Sequence, residues 1–367
     1  MKIVSIHTAT VFDVKDIERF VALVQNAASI VLTCHLGPDG DALGSTLGMA
    51  HVLRDMGKDA RVITPDEPPH YLRVLPGARN VMALSSFGYM VERIIADTDL
   101  ILCMDYNELS RISRLEPAVA KSAAPKVLID HHKHPGDFAD ITFSYPEKSS
   151  TCELTYQLLE ASGLLPHLTL DAATCLMGGI LTDTGGMHYN ANSPELYRTV
   201  GQLLQRGVDK DRLVRYLVDT QSAAAMQLQA YALSQKLQLS DYHSALITLD
   251  RDELNRFGYK KGDTEGLVNK PLAIPGVVYS CYLRQEKDYI KVSMRSIGDF
   301  PVDHLCRKYF GGGGHLNAAG GEFYGSMQQA ADIFNAILAD NVSLITPETL
   351  DTANRQWPKK QNTPNRQ

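Results

Sequence analysis

The sequence predicts an α/β protein built on a parallel sheet, followed by a second, smaller α/β domain, and three observations carry that reading. Short apolar runs at 30–34, 100–104 and 126–129 each break into acidic or histidine residues. Segments with helical spacing separate them, and a β-α-β order with a crossover helix implies parallel strands. Two later runs, VVYSCYLRQ and DYIKVSMRS, face each other across a turn as a hairpin and lead to four consecutive glycines.

Taken in order, residues 13–28 place Ile17, Phe20, Val21 and Val24 at helical intervals, so a helix precedes the first strand. That strand runs from Ile30 and opens onto His35, Pro38, Asp39 and Asp41. Residues 42–56 are again helical, with Leu43, Leu47, Ala50 and Leu53 on one face and Gly57 as the stop. The segment DARVIT is the next strand, 65–78 reads as loop, and 87–96 is weakly helical. DLILCMD then runs into Asp105, and KVLID ends in Asp130-His131-His132. A helix is expected from Ser150, and Asp171 is expected to cap another that reaches Asp183.

The domain boundaries expected are 1–220 for the first domain, 221–241 for a helical linker, 242–345 for the second domain and 346–367 for a disordered tail. The tail is polar, carries Arg355, Lys359, Lys360 and Arg366, and lacks apolar periodicity.

At 367 residues, 44% hydrophobic and 21% charged, the chain has ample material for two cores. Its formal net charge of −6 argues against coating an extended nucleic-acid duplex, which needs a basic surface. The N-terminus lacks signal-peptide character and no apolar run approaches ~18 residues, so a cytoplasmic protein without membrane association is expected. None of the six cysteines forms a C-x-x-C pair, which fits small buried hydrophobes rather than a zinc cluster. A homodimer is compatible with all of this.

The chemistry lies at the ends of the apolar runs. His35, Asp39, Asp41, Asp105, His131 and Asp183 offer two imidazoles and four carboxylates, a donor set suited to two divalent ions. Taken singly, each has a plainer reading: Pro38, Asp39 and Gly40 are ordinary turn residues, Asp41 could cap a helix, and Asp105 could simply end a strand. Together they gather where parallel sheets collect functional side chains, at the carboxyl ends of strands. Asp105 is the candidate bridging ligand, and Asp39 and Asp41 are expected to face different ions. Oxygen-rich donors with imidazole and no thiolate favour Mn²⁺, with Mg²⁺ as the alternative. Asp130 is expected to orient a histidine, leaving His132 to contact substrate or protonate a leaving oxygen. Downstream, Gly312, Gly313, Gly314 and His315 read as an anion-binding loop, with Arg295 adding charge.

HLGPDGDALGS, Asp105, Asp130-His131-His132 and Asp183-Thr184-Gly185, in that order, resemble the DHH phosphoesterases. SMRS and GGGGHLNAAGG resemble the associated DHHA1 domain, and together these motifs span roughly residues 15–345. The resemblance implies a mixed sheet in the second domain, an active site in the cleft between domains, and ions shared as His35, Asp39 and Asp105 against Asp41, Asp105, His131 and Asp183. Within the superfamily the chain is similar to the oligoribonuclease (nanoRNase) and pAp phosphatase group, which implies Mn²⁺-dependent hydrolysis of very short RNA, of pApA and of adenosine 3′,5′-bisphosphate. Cyclic di-AMP phosphodiesterase activity and a catalytically silent nucleotide-sensing module are the alternatives. Arg295 and His315 would hold the far phosphate. Arg111 sits where relatives often place an arginine and is a further substrate candidate, whereas Gly37 stands where they often carry Asn.

Overall fold

The structure, a computed structural model, describes residues 12–355. Residues 1–11, expected to carry no signal sequence, and 356–367 of the expected tail lie outside the described residues. The chain divides into two compact units between Thr220 and Gln221.

The first unit is built on a sheet of six parallel strands, β1 Ser29–Thr33, β2 Asp59–Thr64, β3 Met82–Ala83, β4 Leu100–Met104, β5 Lys126–Asp130 and β6 Ile141–Ser144, in the order β3-β2-β1-β4-β5-β6. Strand alternation explains why the runs read as continuously apolar. Ile30, Leu32, Leu102, Val127 and Ile129 enter one core. Val31, Ile101, Cys103 and Leu128 enter a second core on the opposite face. Both faces are therefore covered, as parallel sheets require. Strand order reverses between β1 and β4, and ligands of such sheets bind beyond the carboxyl ends of the strands at that point.

Two helices, Gly40–Asp55 and Leu170–Asp183, pack backbone to backbone over the first core. Gly40, Gly44 and Gly48 recur every fourth residue, so they share one helix face. A Cβ on Gly44 would stand 2.6 Å from the Cys175 carbonyl oxygen, and one on Gly48 2.6 Å from Leu176 Cδ2. Only glycine allows this approach, and it brings the start of one helix beside the end of the other. The helix Leu170–Asp183 is capped by Thr169, whose hydroxyl accepts from Ala172 N. Asp171 thus lies in the first turn instead of at the cap, where a carboxylate still complements the helix dipole.

The second unit holds β7 Gln238–Ser240, β8 Ser244–Leu249, β9 Tyr279–Gln285, β10 Ile290–Ser296, β11 Gly313–His315 and β12 Ala318–Phe323, in the order β11-β12-β10-β9-β8-β7. Only β8 and β9 run parallel, so the sheet is mixed. The segment expected as linker forms the helix Ala223–Tyr231 and then supplies β7 to this sheet. The expected disordered tail begins instead with the helix Pro347–Ala353, capped by Thr346 and burying Thr349 and Ala353.

The glycine run also differs from the expected loop. Gly313 and Gly314 lie in β11, paired with β12, instead of in an open loop. A Cβ on Gly312 would fall 1.9 Å from the Gly320 carbonyl oxygen, on Gly314 2.4 Å from that of Ala318, and on Gly321 2.3 Å from that of Phe310. Close backbone approach, as much as conformational freedom, demands these glycines.

Candidate metal centre

Three strand ends and two helix ends of the first unit converge on one cluster of acids and imidazoles. His35 follows β1, Asp105 follows β4, and His131 follows β5. Asp39 caps the helix Gly40–Asp55, its Oδ1 accepting from Asp41 N and Ala42 N. The cap is therefore Asp39 and not Asp41, which leaves the Asp41 side chain to turn inward. Asp183 closes the helix Leu170–Asp183.

Asp105 stands at the centre. Its Oδ2 lies 3.4 Å from His35 Nε2, which is also 3.7 Å from Asp39 Oδ2. Its Oδ1 lies 3.8 Å from His131 Nε2, which is 3.8 Å from Asp41 Oδ2 and 3.6 Å from Asp183 Oδ2. Ligand atoms in each of the groups His35-Asp39-Asp105 and Asp41-His131-Asp183 all lie within 4.8 Å of one another. Asp105 also adopts φ 62°, a left-handed conformation that aspartate tolerates better than most side chains.

Each imidazole is oriented through its other nitrogen. His35 Nδ1 lies 3.0 Å from the Leu36 carbonyl and His131 Nδ1 3.2 Å from that of Lys148, so both Nε2 atoms face the cluster. Asp130, with no solvent exposure, accepts from His132 N and lies 2.7 Å from His132 Nδ1. That bond fixes the tautomer of His132, leaving Nε2 for chemistry.

The electrostatics of the cluster favour added positive charge. Burial, reinforced by the charges of Asp105 and Asp183, raises the Asp41 carboxyl well above its ordinary range. Desolvation, with Asp39 and Asp105 nearby, pushes Asp183 up to about 7. Burial alone would depress His131, but Asp183, Asp41 and Asp105 outweigh it and carry the imidazole up to about 9. At His35, burial is likewise outweighed by hydrogen bonds to Asp105 and Asp39, so its pKa is raised. Asp105 is held low, because His35 overcomes the burial that would raise it. Four carboxylates are thus balanced only by retained protons, and divalent ions would replace those protons with charge suited to the same oxygen and nitrogen donors. The residues present fit such ions.

The helix expected from Ser150 has a role at the cluster that its sequence did not signal. The helix Thr151–Ala161 begins beside it, and Thr151 N and Cys152 N donate to Asp41 at 2.7 and 2.9 Å. The Thr151 hydroxyl donates to Asp105 Oδ1 at 2.9 Å. Ser150-x-x-Glu153, a capping-box pattern, signals the helix start alone.

The substrate candidates are distributed differently. Arg111 is exposed in the first unit, and its carbonyl accepts from Leu36 N at 2.8 Å, beside the His35 turn. Arg295, on β10, lines a groove of about 940 Å³ in the second unit with Lys291, Gly312, Gly313 and Tyr289. Gly314 and exposed His315 belong to the neighbouring β11. All six cysteines are free and buried, and among the described residues no helix is long and apolar enough to cross a membrane.

The DHH family N-terminal domain matches residues 29–180, and the DHHA1 domain matches 244–340. The bifunctional oligoribonuclease and PAP phosphatase NrnA of Thermus thermophilus is 30% identical over 310 residues, covering 84% of this chain and 88% of that protein. The chain belongs to the DHH family. Among solved structures, an exopolyphosphatase-related protein from Bacteroides fragilis superposes on this DHH protein with a TM-score of 0.89 at 41% identity, covering 92% of this chain and 99% of that one. RecJ of Thermus thermophilus, solved in complex with Mn²⁺, shares the fold with a TM-score of 0.56 at 14% identity, covering 92% of this chain and 56% of its own.

Proposed function

We propose that this DHH protein is a phosphoester hydrolase that uses two divalent ions, Mn²⁺ by preference, to cleave short oligoribonucleotides such as pApA and to remove the 3′-phosphate of adenosine 3′,5′-bisphosphate. One observation carries the reading: the two oxygens of Asp105 face two separate ligand groups, 3.4 Å from His35 on one side and 3.8 Å from His131 on the other. A carboxylate so placed would offer one oxygen to each of two ions. The names of the NrnA and exopolyphosphatase-related relatives support phosphoryl chemistry on small anionic substrates.

His35, Asp39 and Asp105 would hold one ion and Asp41, Asp105, His131 and Asp183 the other. When bound, the ions supply positive charge that eases deprotonation of the attacking water and offsets charge on the phosphoryl oxygens. The remaining work falls to the chain. Asp130 accepts from His132 Nδ1 and so favours the doubly protonated ring, in which a proton taken up at Nε2 can pass to the leaving oxygen as the P–O bond breaks. Arg295 and Lys291, in a groove that also contains glycine backbone, suit the terminal phosphate or nucleotide.

The test is parallel turnover with Mn²⁺ of pAp, pApA, a five-nucleotide RNA, long single-stranded DNA, cyclic di-AMP, pyrophosphate and polyphosphate. The reading expects pAp and the short ribonucleotides to lead. Preference for pyrophosphate or polyphosphate would overturn it.

A further inference from the structure

We propose that Glu153 is a positioning residue for the metal centre, holding the turn 148–152 in the shape that serves three ligands at once. The inference rests on the two-ion reading above. The turn contributes the Lys148 carbonyl to His131 Nδ1, the Thr151 and Cys152 amides to Asp41, and the Thr151 hydroxyl to Asp105. His131, Asp41 and Asp105 come from three different elements, and this segment touches all of them. Their mutual placement therefore depends on its conformation.

What fixes that conformation is a carboxylate without solvent exposure. Glu153 Oε2 accepts from Ser149 N at 2.8 Å and from Ser149 Oγ at 2.7 Å, while Oε1 accepts from Gln157 Nε2 at 2.9 Å. Ser150 Oγ in turn accepts from Glu153 N at 3.0 Å. In an ordinary capping box the glutamate returns to the backbone of the cap residue itself. Here it reaches one residue further back, to Ser149, and the turn is pinned ahead of the helix.

The offset has a chemical result. Ser150 satisfies the third amide of the helix, so the first two, on Thr151 and Cys152, remain for Asp41. Two amide donors hold both oxygens of Asp41, leaving the remaining lone pair of Oδ2 toward His131. Glu153 thus acts on the ions at one remove, through backbone and hydroxyl groups, as partners of metal ligands commonly do.

Glutamine in its place keeps an oxygen for Ser149 and can meet Gln157 once that amide is turned. Alanine keeps neither bond. The test is Mn²⁺ binding by titration calorimetry and by the electron paramagnetic resonance spectrum of the coupled ion pair, for wild type, Glu153→Gln, Glu153→Ala and Ser149→Ala. Wild type should bind two ions; binding of fewer overturns the two-ion reading, and this inference with it. Given two ions, Glu153→Ala should bind them about 10–100-fold more weakly with an altered spectrum, while Glu153→Gln stays within a few-fold of wild type. Ser149→Ala, which retains the backbone bond, should fall between and keeps the test decisive if Glu153→Ala does not fold. Wild-type affinity and spectrum in Ser149→Ala or Glu153→Ala would overturn the proposal, as would equal losses in the Gln and Ala variants, which would indicate a role for charge alone.

Discussion

Replacing Gly179 by alanine adds one methyl group and should damage a metal site without touching a ligand. The new Cβ would stand 2.2 Å from Cys152 Sγ and 3.0 Å from both Asp41 Cα and Asp41 Oδ1. Reaching an ordinary contact of 3.4 Å from the sulfur requires about 1.2 Å of movement. Moving the sulfur also disturbs Asp41, because buried Cys152 Sγ lies 3.6 Å from the Asp41 carbonyl oxygen. Metal sites tolerate displacements of only about 0.2 Å. The expected outcome is a loss of about 1–3 kcal/mol of stability in the metal-free protein, typical of overpacking. A Mn²⁺ affinity lower by about 10–100-fold should accompany it. The assays are thermal unfolding in chelator and calorimetric titration with Mn²⁺. Adding Cys152→Ala removes the sulfur and should restore much of both quantities. Gly201→Ala, on a helix where a Cβ meets nothing within 4 Å, is the control and should gain about 0.5–1 kcal/mol. Wild-type Mn²⁺ affinity in Gly179→Ala, or no recovery in the double variant, would refute the reasoning.

Asp105→Asn should abolish Mn²⁺-dependent hydrolysis while remaining folded, since asparagine accepts the left-handed backbone at that position. Asp105→Ala should unfold more easily than the asparagine variant by about 1 kcal/mol, and retained turnover in Asp105→Asn would sink the two-ion proposal. Arg295→Ala should lower kcat/KM for 5′-phosphorylated dinucleotides by about 10–100-fold, the cost of a lost charged hydrogen bond. Its activity on a generic aryl phosphate should change far less, and equal losses would dismiss a recognition role. The metal-free protein should lose stability as pH rises. Asp183 keeps its proton up to about 7 in the folded chain, so ionisation above the unfolded value near 3.8 opposes folding through that window. His131, raised to about 9, contributes stability that is present below about 6.5 and lost as pH rises through about 9. Melting temperatures in chelator should therefore fall between pH 5 and 9, whereas those in excess Mn²⁺ should not; parallel curves would contradict the charge balance inferred for the cluster.

Much of the first unit was legible because its candidate ligands follow apolar runs closely. Val31, Ile101 and Leu128 are buried on one face of the sheet while their neighbours are buried on the other, so each strand appears as an unbroken run whose end can be found. Strand β6, only Ile141–Ser144 and with Thr142 exposed, carries no comparable signal. Caps were harder to assign. Asp39 against Asp41, and Thr169 against Asp171, differ by two residues, and either member of each pair can accept a backbone N–H. The glycine run illustrates a deeper limit. Flexibility and close approach both select glycine, and only the position of β12 and Phe310 reveals which demand operates at Gly312 and Gly321. Glu153 was hidden for a similar reason, since the capping-box pattern is visible but its reach to Ser149 is not.

The interlocked glycine face of the helix Gly40–Asp55 has a consequence for how the protein is made. Its partner, Leu170–Asp183, leaves the ribosome long after it, as does the turn that grips Asp41. During synthesis His35, Asp39 and Asp105 are all present before the second ligand group has its last member. The growing chain thus holds all three residues of one candidate ligand group early. The other group forms only when a helix arrives to cover the bare stripe, tying the last ligand to the last docking step of this core.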